Sequence, residues 1–165
     1  MSELRERQAP IKERYRSDPA GARIKLSARG SHGADAVACS VDLGRVVQEA
    51  QAHSGVGGPG TGACSGDLLL GALAACAQVT CQMVAAAMGI ETERIEITAE
   101  GEIDLRGTLG VSREAPVGFE SISLRFDIDT PDADEERIAS LVEKTERYCT
   151  VLQTLREPPE IEVVS

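Results

Sequence analysis

Five cysteines, Cys39, Cys64, Cys76, Cys81 and Cys149, carry most of the reactive chemistry open to this chain. A cysteine reacts as its thiolate, and a free thiol with a pKa of about 8.5 is only a few per cent ionised at pH 7. Burial makes ionisation harder, so a reactive cysteine in an apolar segment needs a cation or several hydrogen-bond donors beside it. Cys149 stands where a short helix is expected to begin, and the free N–H groups of a first turn stabilise a thiolate. A small core residue is the alternative reading there. Cys76 lies about ten residues into an apolar helix, beyond the first turn in which the helix dipole acts, and taken alone reads as core. Cys39 alternates with apolar neighbours and also reads as core, while Cys64 sits in a Gly-rich stretch.

Metal chemistry is not expected. Cys76 and Cys81 stand about 140° apart around a helix, so they do not share a face, and His32 and His53 fall in loops without ligand spacing. The run GVGGPGTG lacks the Gly-Lys-Ser/Thr ending and the surrounding parallel unit of a phosphate loop. An odd cysteine number argues against a disulfide framework. The first residues, MSELRERQAPIKERYRSD, lack the apolar core of a secretory signal, so a cytoplasmic location is expected. The formal charge of −10 disfavours nucleic acid and anionic membrane surfaces as partners.

These thiols must be positioned by the elements around them. With 165 residues the chain fits one domain, 1–165, with a charged lead-in over 1–20. Two Tyr, two Phe and no Trp leave Ala and aliphatic residues to fill the core. Residues 22–29 and 36–43 alternate apolar and polar side chains, as half-buried strands do, and GSHGAD between them supplies a hairpin turn. From Gly44 to Ser65 the pattern dissolves into a loop. Ser65 can cap a helix whose first turn holds Asp67, and DLLLGALAACAQVTCQMVAAAMGI is apolar nearly all round, stopping at Gly89. A membrane span and a buried central helix share that pattern; Gln78, Thr80 and Gln82 favour the buried helix.

Residues 94–106 and 119–129 read as long strands joined by a loop. Thr130-Pro131-Asp132 opens a helix with Ile138, Leu141 and Val142 inward. The helix breaks near Cys149, restarts with Val151, Leu152 and Leu155, and ends at Pro158-Pro159 before a final strand, IEVV. This order of elements is α+β.

Two separate stretches resemble one family. The segment from Asp67 to Thr80, DLLLGALAACAQVT, is similar to the central helix of OsmC/Ohr proteins, and ERYCTVLQTL, around Cys149, resembles their second-cysteine segment. Together they cover, in element order, most of residues 22–164. The resemblance implies antiparallel sheets wrapped around a long buried central helix, in an intertwined homodimer with its sites at the subunit interface. It implies a thiol-dependent peroxidase, with catalytic Cys76, Cys149 and Arg29, and no cofactor. Arg29, in SARG, is nearest the family's arginine position; Arg45 is the reserve, and a solvated hairpin residue is the plain alternative for Arg29. The substrate would be an organic hydroperoxide or hydrogen peroxide, and the reductant a dithiol, lipoyl-type in the peroxidase branch.

The chain departs from that pattern in two places. Gly66 stands where the organic-hydroperoxide branch carries Glu, leaving Asp67 as the supporting acid, and Thr150 replaces a Pro common after the second cysteine. A non-enzymatic dimer that binds a small ligand or senses oxidants on the same scaffold is therefore the competing reading.

Overall fold

The computed structural model describes residues 3–17, 22–23, 29–32, 38–42 and 46–164. Its elements, in order, are α1 (Glu3–Ser17), β1 (Arg29–His32), β2 (Ala38–Asp42), β3 (Val47–Gln51), α2 (Ser65–Met88), β4 (Arg94–Ile103), α3 (Leu105–Thr108), β5 (Phe119–Asp129), α4 (Glu135–Tyr148) and α5 (Thr150–Arg156). The α+β class stands. β1, β2 and β3 form one sheet, and β4 pairs with β5 in another. The chain divides into two units, one of residues 1–21, 72–99 and 124–165, the other of 22–71 and 100–123.

In the second unit, β1 and β2 pair antiparallel with Arg29 opposite Asp42 and His32 opposite Cys39. The hairpin is shifted along the chain from its expected place: Gly30, Ser31 and His32, assigned to the turn, belong to the strand, and residues 24–28 lie outside the described part. β3 pairs with β2 inside the stretch expected to be a loop, with Ala50 opposite Cys39. Only Ala50 of β3 is buried, so no alternation marks the strand in the sequence.

The Gly-rich stretch after β3 is ordered by polar side chains. Gln51 Oε1 accepts from the N–H groups of Thr61 and Gly62, at 3.3 and 3.2 Å. His53 Nδ1 accepts from Gly55 N–H and caps a single 3-10 turn, Ser54–Val56. The expected strand 94–106 ends early because Asp104 caps α3, accepting from Arg106 N–H. Gly107 fits there for want of a side chain: a Cβ would lie 2.1 Å from the Pro116 carbonyl oxygen.

In the first unit, α2 presents the line Leu73, Ala77, Cys81 and Ala85, spaced four apart, to the interior. Cys81, Ala85, Ile90 and Leu141 form one cluster, with Ile95, Ile97, Phe126 and Ile128 packed on it. α2 has the length and mean hydropathy, 1.7, of a membrane span, yet this line is packed in the core. The helix is not buried all round as its composition suggested: Val79 is 54% and Met83 40% exposed. α4 starts at Asp134, whose side chain accepts from Arg137 N–H, a few residues beyond the Thr130-Pro131-Asp132 start. Leu155 points outward, and Ile161, Val163 and Val164 form no strand and are exposed.

Candidate functional site

Cys149 joins two helices. Its N–H donates to Thr145 O at 2.9 Å, closing α4, and its own carbonyl accepts from Gln153 N–H at 2.9 Å, opening α5. Its backbone is extended, with φ −74 and ψ 105, so the helix axis breaks at this residue. The side chain makes no cap hydrogen bond. It turns inward, fully buried, into a cluster with Leu73 and Ala77 of α2, against which Cys76, Ile97, Ala99, Leu124, Val151 and Leu152 pack. The two cysteines singled out from the sequence thus meet, both as free thiols.

The first-turn amides of α5 have no carbonyl partner within the helix and are free to favour a charged sulfur nearby. Burial opposes ionisation of Cys76, but N–H of Val151, the Cys149 thiol, the Thr80 hydroxyl and N–H of Thr150 favour it. Together they outweigh burial and hold the thiol below its ordinary value. Cys149 moves the other way. Burial pushes it up and the neighbouring Cys76 sulfur adds to this, more than N–H of Leu152 and Val151 offset. Two thiols in contact cannot both ionise readily, and the surroundings favour the charge on Cys76.

Of the two readings of Cys149, a thiolate at a helix start and a small core residue, its burial and raised thiol favour the second, and the α5 amides favour charge on Cys76 instead. Cys76 lies deep in α2, where its own helix supplies no free amide. The donors come from a segment more than seventy residues away, which helix periodicity cannot reveal. Thr80 was legible, four residues from Cys76 and so on the same face, but carried no assigned role.

Arg29 begins β1, opposite Asp42; its guanidinium lies outside the described part, as does Arg45. Asp67 is engaged at the start of α2. Its Oδ2 accepts from Cys64 N–H at 2.8 Å, while Leu68 N–H donates to Cys64 O at 3.1 Å. Cys64, rather than Ser65, is therefore the capping residue, and Asp67 closes one half of a capping box. The Cys64 N–H, then its thiol, hold the Asp67 carboxyl below the usual range, with a smaller pull from His53. Cys81 is sealed in the core, where burial pushes its thiol up against a hydrogen bond with Thr145. Cys39 is placed by its backbone on β2. Among the described residues, no three His, Cys, Asp or Glu side chains come together as a metal set.

Residues 58–164 match the family model for the OsmC-like protein. The fold resembles that of an OsmC-like protein from Mycoplasma pneumoniae, at 18% identity and a TM-score of 0.68, over 82% of this chain and 89% of that one. It also resembles an organic hydroperoxide resistance protein from Elizabethkingia anophelis, at 20% identity and a TM-score of 0.62, over 83% and 91%. A protein from Legionella pneumophila described as an organic hydroperoxide resistance protein, OsmC, is similar at 19% identity and a TM-score of 0.61, over 82% and 92%. No curated protein sequence matches the chain. With the family model spanning well over half of its length, the chain belongs to the OsmC-like family.

Proposed function

We propose that this protein is a thiol-dependent peroxidase acting through Cys76 and Cys149. The observation that carries the reading is that Cys76 packs against the buried Cys149 at the start of α5, two free thiols brought together from distant parts of the chain; surroundings that push Cys76 down and Cys149 up accord with it. Two of the similar structures are described as organic hydroperoxide resistance proteins, which favours an organic hydroperoxide or hydrogen peroxide as substrate. The Cys76 thiolate attacks one peroxide oxygen, the O–O bond breaks, and the alkoxide or hydroxide takes up a proton and leaves as alcohol or water. Cys76 is then a sulfenic acid. The Cys149 sulfur displaces its hydroxyl as water, forming the Cys76–Cys149 disulfide, and a dithiol, lipoyl-type in character, takes the oxidising equivalents. Arg29 is the proposed cation for the peroxide, and Asp67 the proposed supporting acid, which its place at the α2 cap restricts to an indirect part. The exposed stripe of α2 and the exposed apolar residues of the terminal segment suit burial in a homodimer.

Steady-state peroxide reduction with a dithiol tests this. Cys76→Ser abolishes turnover, and Cys149→Ser accumulates sulfenic acid at Cys76. Dithiol-dependent turnover that survives Cys76→Ser contradicts the proposal. The complete burial of Cys149 favours a second reading, a dimer that senses oxidants, because a disulfide sealed there is shielded from reductant. One oxidation per chain, without turnover, would select it.

A further inference from the structure

The carbonyls that precede a helix break lose their usual partners. In an uninterrupted helix Glu146 O would accept from Thr150 N–H. The extended backbone at Cys149 turns that amide away, and the half-buried Gln153 side chain takes its place, Nε2 donating to Glu146 O at 2.8 Å. Gln153 also donates its backbone N–H to Cys149 O at 2.9 Å. One residue thus ties the turn before Cys149 to the turn after it. Arg156 Nη2 spans the same break, donating to Glu146 Oε2 at 2.7 Å, but with side chains 52% and 36% exposed that ion pair contributes little.

Resting on the peroxidase reading, we propose that Gln153 is a positioning residue: by clamping α5 to the last turn of α4 it holds the break that turns Cys149 inward onto Cys76. Cys149 is the residue between the two clamped turns. Its side chain is fully buried with Leu73 and Ala77, and Cys76 packs against that cluster. The step served is closure of the disulfide. There the Cys149 sulfur must meet the Cys76 sulfur in line with the group that leaves it, which depends on placement. The first attack of Cys76 on an oxidant makes no such demand on α5.

Dithionitrobenzoate, an aromatic disulfide, separates the two steps without peroxide, so its outcome is distinct from that of the peroxidase reading, which peroxide turnover decides. The Cys76 thiolate attacks the reagent, forming a mixed disulfide and releasing one thionitrobenzoate. The Cys149 sulfur, giving its proton to solvent, then attacks Cys76 and expels the second thionitrobenzoate as the Cys76–Cys149 disulfide closes. The first phase scales with reagent concentration and the second does not; mass mapping assigns each to its cysteine. Gln153→Met keeps length and helix preference but has no donor, and Gln153→Lys keeps a donor of similar reach. In Gln153→Met the second phase slows about three- to tenfold while the first keeps its rate, and Gln153→Lys restores the second. An unchanged second phase in Gln153→Met, or a loss that Gln153→Lys fails to restore, overturns the proposal. So does equal slowing of both phases, which marks general loosening, or a parent protein with no closing phase.

Discussion

Four groups favour a charged sulfur at Cys76, and two of them are backbone amides. Thr150 and Val151 contribute N–H groups that every residue but proline carries. Thr150 itself is informative here. The proline common at that position in the family has no N–H, whereas Thr150 places one at the first position of α5. Side-chain types announced the cysteines, but backbone donors have no sequence signature, which is why Cys76 taken alone read as core and only the resemblance made it a reacting thiol. Arginine candidates were named from resemblance alone, and the side chains of Arg29 and Arg45 lie outside the described part. Thr80, four residues from Cys76, is the one contributor that spacing could have exposed.

At the scale of elements, the long strands were legible because their apolar residues alternate over ten residues or so, and the long helix because an apolar run of that length, stopping at a glycine, reads as a helix. The break at Cys149 was readable as well, from the weakened pattern between Tyr148 and Val151. Short elements were not. β3 hides in a polar stretch with one buried residue, and α3 exists because Asp104 caps it. The start of α2 also differs in detail, with Cys64 and Asp67 forming the cap. Asp67→Ala should lower stability by about 0.5–1 kcal/mol, a fall in Tm of about 1–4 °C. Asp67→Asn, which keeps an acceptor, should lose less. Thermal unfolding of both variants checks this; equal losses would mean that the carboxylate charge rather than its hydrogen bond acts at the cap.

For the whole molecule, the exposed side of α2 is the feature that the chain alone does not explain. Val79 and Met83 stand outward from a helix whose opposite side is core, and Ile161, Val163 and Val164 are bare on the terminal segment. Exposed apolar surface of this kind marks association. The protein should sediment at twice the chain mass, and Val79→Glu with Met83→Glu should shift it to the single-chain mass; a parent protein already at single-chain mass would contradict this. The central claim, however, concerns two sulfurs. Adding one equivalent of an organic hydroperoxide to the reduced protein, quenching with an alkylating agent and mapping every cysteine by mass tests it most directly. The account predicts a Cys76–Cys149 disulfide, with Cys64 and Cys81 still thiols. Oxidation that leaves Cys76 alkylatable, or that links Cys76 to another cysteine, would contradict it.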